Sequence, residues 1–360
     1  MRWLFLAVYG VLSAVLVANL VYLARARRRP AGPFRGLLSV LVPARNEERN
    51  LARLLPSLLA QKGVDFEVIV YDDDSEDDTA GVVTRLADPR IRLLRGRGPP
   101  PGWVGKVHAL YRATRDARGD AFLFLDADTM LTGPGVLARI AGRFAALPPH
   151  GVLTALPRFR GGAQLLVSLV PYGLLTGLPL PFAARWGGRL LAAMNGQCWM
   201  IGRGDYLAHE PHRSNPDEVL EDVRIGRFLA FRGVRPRFAD LSEELEVWMY
   251  RDTREAWRGF RKNAYLLFGG RPLPFAALFG LFVLTFVVGP ASSPIWLVWV
   301  FGTKLAVDRF CRFPPWVSAA APATFVLWTA MLLDSAWSHV RGRVEWKGRD
   351  VARGEARAVA

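Results

Sequence analysis

Cysteine is scarce in this chain, which has only two cysteines among its 360 residues. Cys198 and Cys311 lie far apart in the sequence and show none of the close spacings that zinc ligands or redox pairs require. The sequence therefore excludes a disulfide-stapled fold and a cysteine metal site. We expect both thiols to be reduced and buried, as is typical of a domain that faces the cytoplasm.

Acidic residues are outnumbered, because the chain has 47 lysines and arginines against 32 aspartates and glutamates, giving a net charge of +15. Much of the excess is arginine beside apolar segments, where a basic cluster can bind acidic lipid headgroups. The sequence contains neither a zinc-finger nor an RNA-binding signature. We therefore expect a membrane as a partner and no nucleic acid.

Long apolar runs are confined to the two ends of the chain. The first, Trp3–Leu23, is long enough to cross a hydrocarbon core of about 30 Å and predicts a transmembrane anchor over residues 1–25. A cleaved signal peptide is the alternative, because Ala24-Arg25-Ala26 resembles a small-x-small cleavage site. One arginine precedes the run and several follow it, which predicts that the N-terminus lies outside the cell membrane and the following domain in the cytoplasm.

The second apolar region, 272–340, predicts a C-terminal transmembrane region, followed by a basic tail over 341–360. Three crossings would place this tail outside, whereas its arginines favour the inside. We therefore expect the short run Ile295–Val307 not to span the membrane. A further apolar stretch, 161–184, is broken by prolines and glycines and predicts an interfacial segment.

Residues 36–265 alternate short β-branched or apolar runs with longer helical periods. This alternation predicts an α/β domain with a mostly parallel sheet, in which ligands bind at the carboxyl ends of the strands. The predicted strands are Leu37–Val42, Phe66–Tyr71, Arg90–Leu94 and Ala121–Leu125. Predicted helices include Thr79–Leu86, Val104–Ala117 and one that begins near Asn215 and Pro216.

Polar motifs follow three of the predicted strands. Residues 43–48 follow the first strand, and the strongly acidic run 72–79 follows the second. Either motif can be a turn with capping side chains, but clustered carboxylates repel one another unless a cation or hydrogen-bond donors compensate. A carboxylate at a strand end can also accept a hydrogen bond from a base or a ribose hydroxyl and so select a nucleotide.

Asp126-Ala127-Asp128 ends the fourth strand, and strand alternation separates its two side chains. One carboxylate can therefore hold Mg²⁺ or Mn²⁺ on a diphosphate while the other holds ribose. Glu221-Asp222 is the second acidic pair, and it can serve either as a general base or as acidic residues that stabilise a helix N-terminus.

Basic side chains complete the candidate site. Gly102–Lys106 combines flexible backbone, an aromatic ring and the cation of Lys106, without the spacing of a P-loop. Arg261 and Lys262 can neutralise a leaving diphosphate, and a solvated basic face is their alternative.

Taken together and in this order, these motifs resemble those of the family 2 glycosyltransferases, which have the GT-A (Rossmann-like) fold. The resemblance covers about 37–263 and implies a nucleotide-sugar donor and inversion at the anomeric carbon by direct displacement. It places Asp72 and Asp73 at the base-recognising pair, although Asp74 stands where glycine is usual. The first donor loop of the family matches Pro43, Ala44 and Glu47.

The same resemblance implies that Asp128 is the metal ligand, Asp126 its partner and Asp222 the catalytic base. The family often has Gly-Gly-His before this pair, but neither His209 nor His212 is given a role. At 257–263 the chain lacks the Gln-x-x-Arg-Trp signature of processive synthases, which favours a single transfer.

Three shorter stretches are similar to membrane glycosyltransferases that modify carotenoids and hopanoid-type lipids. They are Gly102–Lys106, Gly196–Met200 and Trp346–Arg349. We expect a UDP-linked donor. The likeness implies that its sugar is transferred to a hydroxyl or carboxyl of a lipid such as a carotenoid, which enters from the membrane side. The alternatives are a polyprenyl-phosphate glycosyltransferase and a non-catalytic membrane transport component.

Overall fold

A computed structural model describes residues 2–187, 191–346 and 349–350. The chain divides into two compact units. The sheet unit comprises Leu23–Arg158 and Leu180–Val247, and the helical unit comprises Met1–Tyr22, Phe159–Pro179 and Trp248–Ala360, as far as the structure describes them. The predicted tail, 341–360, lies outside the described residues at 347–348 and beyond residue 350.

The sheet unit is built on a seven-stranded sheet. Its strands are β1 (Leu37–Ala44), β2 (Asp65–Asp72), β3 (Ile91–Arg95), β4 (Ala121–Leu125), β6 (Gly151–Leu156), β8 (Cys198–Gly202) and β9 (Arg235–Asp240). Their order across the sheet is β3-β2-β1-β4-β8-β6-β9. β1 pairs in parallel with β2 and β4, and β8 is antiparallel to both of its neighbours. The short strand β5 (Thr129–Leu131) pairs outside this sheet with β10 (Leu245–Tyr250), and β7 is Arg158–Gly161.

Helices cover both faces of the sheet, which is why the central strands are apolar on both sides. One core packs Val40 and Leu123 against Leu54, and the opposite core packs Leu41 and Phe124 against Leu110. The helices of this unit are α2 (Glu48–Leu59), α3 (Thr79–Arg85), α4 (Gly105–Asp116), α5 (Val136–Ala145), α8 (Leu180–Trp186), α9 (Arg203–His209) and α10 (Glu221–Phe231). The predicted α/β fold with a mostly parallel sheet is confirmed.

The predicted strands agree with the structure within two residues at each end, but the predicted helix start near Asn215 is wrong. Asn215 and Pro216 lie in turns, and α10 begins at Glu221. The Asn215 side-chain amide donates to the Pro211 carbonyl, and the Pro216 carbonyl accepts from the Val104 N–H. These tertiary hydrogen bonds take the place of the expected helix cap.

Among the described residues, two helical segments are long and apolar enough to cross a membrane. They are Arg2–Arg27, most of which belongs to the helical unit, and Pro272–Ser292, which lies within it. A third is reached only if Gln164–Gly177 and Leu180–Trp186 are counted as one broken span. The helices that lie wholly or mostly in this unit are α1 (Arg2–Arg27), α6 (Gln164–Val167), α7 (Leu169–Gly177), α11 (Thr253–Leu267), α12 (Pro272–Val283), α13 (Gly289–Ser292), α14 (Pro294–Phe310), α15 (Pro315–Ala319) and α16 (Ala321–Val340), with a π-helical turn at Leu284–Val288. The boundaries and the orientation of the membrane region remain predictions.

A buried ion pair lies within the helical unit. Lys304 Nζ contacts the two carboxylate oxygens of Asp308 at 2.5 and 2.6 Å, and both side chains are almost completely buried. Ser168 and Ser318 complete the hydrogen bonds of this pair. The short predicted segment Ile295–Val307 therefore carries a charged residue that is paired inside the protein, as polar groups in apolar surroundings require.

Candidate active site

The loops that follow β1 and β2 are clamped together by hydrogen bonds. Arg45 Nη1 donates to the carbonyl oxygens of Asp73 and Asp74, each at 2.8 Å. The Asn46 N–H donates to Ser75 Oγ at 2.9 Å, and Asn46 Oδ1 accepts from the Glu76 N–H at 2.8 Å. The two motifs, whose bonded residues are 29 or 30 positions apart in the sequence, therefore form one hydrogen-bonded surface.

Carboxylates in this clamp are partly used to hold the loops. Asp72 Oδ1 accepts from the Ser75 N–H at 3.1 Å, and Asp77 Oδ2 accepts from the Glu48 N–H at 3.1 Å. Asp72 is the last residue of β2 and Asp73 follows it, and the two are only 6% and 3% exposed. Both are therefore buried at the edge of the sheet. The Glu47 N–H donates to Thr79 Oγ1 at 2.8 Å, which fixes the start of α2 against the acidic loop.

The backbone conformation at residue 74 explains how aspartate can replace the glycine that is usual at this position. Its backbone φ is 63°, in the left-handed region that glycine enters without strain. Aspartate is among the few other residues that tolerate this region, because its short side chain can bond locally. The substitution therefore preserves the backbone conformation of the loop.

Three acidic side chains converge on Lys106 or lie beside it at the edge of the sheet. Lys106 Nζ lies 2.8 and 2.9 Å from the carboxylate oxygens of Asp126 and 2.8 Å from Glu221 Oε1. The Val104 N–H donates to the Pro216 carbonyl at 2.8 Å, which ties the start of α4 to the segment before α10. Burial opposes the charge of Lys106, but the two carboxylates outweigh it and raise its pKa above the ordinary value.

Asp222 is held by backbone donors rather than by a cation. The Gly196 N–H donates to Oδ2 at 3.0 Å, and the Val223 N–H donates to Oδ1 at 2.8 Å. Burial and the adjacent Glu221 carboxylate raise the pKa of Asp222 to about 6, while Lys106 and the two N–H groups act in the opposite direction. A carboxylate with this pKa can accept a proton near neutral pH.

Gly196 allows this close approach. A Cβ atom at residue 196 would lie 3.2 Å from Asp222 Oδ2 and 3.2 Å from Glu221 Oε1. The adjacent Gln197 carbonyl accepts from the Asp126 N–H at 3.0 Å. Residues 196 and 197 therefore contact both acidic pairs from one side.

His212, to which the sequence assigns no role, lies in the core behind this cluster. Its Nδ1 is 2.8 Å from Tyr206 Oη, and its ring packs on Phe124 and Trp199. Burial, with a smaller effect from Lys106, lowers the pKa of His212 to about 3, so the imidazole is neutral at physiological pH. A lone histidine in a turn gives no sequence signal for such a position.

The metal prediction can be tested against the oxygen donors that the chain offers. Among the described residues, no group of three histidine, cysteine or acidic side chains could by itself hold a metal ion. Asp128 is half-buried two residues after Asp126 and offers the hard oxygen ligands that Mg²⁺ and Mn²⁺ prefer. These residues fit an ion that is bound by one or two carboxylates together with substrate phosphates, and they do not form a closed protein cage.

Two predicted site residues, Pro43 and Ala44, end β1, and the remaining two lie in the helical unit. Arg261 and Lys262 are on α11, and Arg261 Nη1 is 3.9 Å from Asp334 Oδ2. Their contribution to a donor site remains a prediction. The structure brings together the predicted residues Lys106, Asp126 and Asp222, and adds Glu221 to them.

Comparisons with known proteins identify a family model and relatives that the chain matches. Residues 39–203 match the family model described as Glycosyl transferase family 2. A relative named 4,4'-diaponeurosporenoate glycosyltransferase from Staphylococcus haemolyticus (strain JCSC1435) is 26% identical over 228 residues, which are 61% of this chain and only 58% of the relative. A protein of the same name from Staphylococcus aureus (strain bovine RF122 / ET3-1) is 25% identical over 337 residues, 87% of each chain.

A solved structure with a similar fold is a mannosyltransferase from Pyrobaculum calidifontis in complex with GDP-Man and Mn²⁺. Its TM-score is 0.54 at 22% sequence identity, and the match covers 93% of this chain and 99% of that chain. This likeness concerns the fold alone.

Proposed function

Because the chain carries a family 2 glycosyltransferase domain with the GT-A fold, we propose that it is an inverting enzyme that glycosylates a membrane lipid. The donor is a nucleoside diphosphate sugar, UDP-linked, and the acceptor group is a hydroxyl or a carboxyl of a lipid such as a carotenoid. The observation that carries this proposal is the cluster in which Lys106 contacts Asp126 and Glu221 beside Asp222.

In the proposed reaction, Asp222 takes the proton from an acceptor hydroxyl. The acceptor oxygen forms a bond to the anomeric carbon while the bond from that carbon to the diphosphate breaks, and the diphosphate leaves with the electron pair. Because its pKa is raised to about 6, Asp222 is ionised at neutral pH yet basic enough to share the proton during the transfer.

The donor side of the site has to stabilise the charge of the departing diphosphate. Lys106 supplies a cation at the edge of the sheet, and Asp72 and Asp73 are proposed to bind the base while Pro43, Ala44 and Glu47 line the donor loop. Mg²⁺ or Mn²⁺ held by Asp128 and the phosphates would act as a Lewis acid at this position. Asp126 is proposed to face the ribose, and Arg261 and Lys262 to add positive charge.

The lipid acceptor is supported by two independent observations. The chain has at least two helical segments that are long and apolar enough to cross a membrane. Relatives that match it bear the name of a diaponeurosporenoate glycosyltransferase. Arginines after the first apolar helix support a cytoplasmic site, because basic residues are retained on that side of a membrane.

The test is a transfer assay with membranes that contain the full chain. Labelled UDP- and GDP-sugars are supplied with Mn²⁺, and the extracted lipids are analysed by mass spectrometry. We expect one labelled sugar in a neutral or carboxyl-linked lipid, and transfer that is lost when EDTA removes the metal. Label in an acid-labile lipid phosphate would identify a polyprenyl-phosphate acceptor instead, and absence of both transfer and donor hydrolysis would contradict an enzymatic role.

A further inference from the structure

We propose that Glu221 is a positioning residue that, together with Asp126, holds the Lys106 ammonium in place for the diphosphate of the donor. This inference rests on the proposed function and assigns a separate task to each member of the Glu221-Asp222 pair. Asp222 faces two backbone N–H groups, whereas Glu221 faces the lysine.

The geometry leaves Lys106 able to bind a further group. An ammonium has three N–H donors. Lys106 Nζ lies 2.8 and 2.9 Å from the two oxygens of Asp126 and 2.8 Å from Glu221 Oε1, so two of its three contacts go to a single carboxylate. The Lys106 side chain is 30% exposed. A phosphate oxygen that approaches from the exposed side can therefore replace one of the two Asp126 contacts, while the other Asp126 contact and the Glu221 contact keep the ammonium in place.

Holding the lysine in advance has an energetic consequence. A free lysine side chain has many rotamers, and their loss weakens any contact that has to order it. In this site two carboxylates from different elements, the end of β4 and the start of α10, order the side chain before the donor arrives. The exposed fraction of Glu221 is only 13%, so this contact is shielded from water.

The alternative effect of Glu221 is electrostatic repulsion of the diphosphate. Repulsion and positioning change nucleotide affinity in opposite directions. Repulsion predicts that removal of the Glu221 carboxylate strengthens nucleotide binding. Positioning predicts that removal weakens it, and that the weakening depends on the presence of Lys106.

The experiment measures the affinity of the purified full chain for UDP and for GDP, each with Mn²⁺, by calorimetry. The variants are Glu221→Ala, Glu221→Gln, Lys106→Met and the double variant Glu221→Ala with Lys106→Met. Glu218→Gln is the matched control, because Glu218 lies on the same segment but pairs with Arg224 at 3.0 Å. Thermal unfolding of each variant separates a loss of affinity from a loss of folding.

We expect Glu221→Ala to weaken nucleotide binding about tenfold and Glu221→Gln to recover part of that loss, because an amide oxygen still accepts from Lys106. In the Lys106→Met background, Glu221→Ala should have no further effect, since residues that act through one contact are not additive. Glu218→Gln should bind like the unaltered protein.

Tighter binding by Glu221→Ala, or equal effects of this change with and without Lys106, would overturn the inference while leaving the proposed function intact. If the unaltered protein bound neither nucleotide, the proposed function would fall, and this inference with it.

Discussion

Two clusters of acidic residues lie at the carboxyl edge of the same sheet, one in the loop after β2 and one around Lys106. They differ in the partners of their carboxylates. In the loop after β2, backbone N–H groups of Glu48 and Thr79 donate to Asp77. Although burial acts against ionisation there, hydrogen bonds from Thr79 and Glu48 outweigh it and lower the pKa of Asp77. At the Lys106 cluster, burial and a neighbouring carboxylate prevail, and the pKa of Asp222 is raised.

The two pKa shifts distinguish Asp77, a carboxylate that holds a loop in place, from Asp222, a carboxylate that can exchange a proton. A carboxylate that receives several strong hydrogen bonds stays ionised and serves as a structural acceptor. One that is buried beside a like charge has a pKa near neutrality and is suited to general base catalysis. The same residue type thus serves two purposes within one sheet edge.

The largest effect is expected from Asp222→Asn. If the acceptor is a hydroxyl, loss of the base should reduce kcat by about 10²- to 10⁴-fold, because an amide cannot accept the proton. Asp77→Asn, in the other acidic group, should retain most of kcat. The measurement is the initial rate of lipid glycosylation.

A carboxyl acceptor gives a different result for the same variant. A carboxylic acid is already ionised at neutral pH and needs no base. Transfer by Asp222→Asn at a rate close to that of the unaltered protein would therefore remove the base assignment and point to a carboxyl acceptor.

Lys106→Met should have the next largest effect. Loss of a charge-assisted contact to the diphosphate is expected to lower kcat/KM for the donor by about 10- to 100-fold. Lys62→Met is the matched control, because Lys62 is an exposed lysine of the same unit. Equal activity of the two variants would contradict a role for Lys106 at the donor.

The pH dependence of kcat/KM reports the ionisation of Asp222. Asp222 must be ionised to accept a proton, so activity should fall as the pH drops below about 6, the pKa of this group. Glu221→Gln should move this acidic limb to lower pH, because the Glu221 charge raises the pKa of Asp222. Lys106→Met should move it to higher pH, since the Lys106 charge lowers that pKa. Shifts in the same direction for both variants would contradict this arrangement.

The smallest effect concerns the loop after β2. Asp74→Gly should be nearly neutral, whereas Asp74→Val should destabilise the chain by about 1–2 kcal/mol, because a β-branched residue is strained at positive φ. Thermal unfolding of the full chain measures the difference. Asp65→Val, at an exposed strand residue, serves as the control, and equal losses from both valine substitutions would show that the φ of residue 74 is not the cause.

Local patterns predicted the strands well, because each central strand is a short apolar run that is buried on both faces. They failed at Asn215 and Pro216, which are typical residues of a helix start. The Asn215 side-chain amide instead donates to the Pro211 carbonyl, and the Pro216 carbonyl accepts from the Val104 N–H. The family resemblance singled out Asp222, but no local pattern assigned a task to Glu221, because its contact with Lys106 forms only in the folded chain.

The sequence by itself determined the α/β fold, the apolar ends and the positions of the acidic motifs after the strands, because periodicity and strand length are local properties. Only the tertiary structure decided which groups those acids meet. In the folded chain Lys106 lies between Asp126 and Glu221, and Asp222 accepts hydrogen bonds from two backbone N–H groups. His212 is buried in the core, where its ring contacts Tyr206. Such contacts join residues far apart in the chain, and their pKa values follow from burial and neighbouring charge, which no local pattern records.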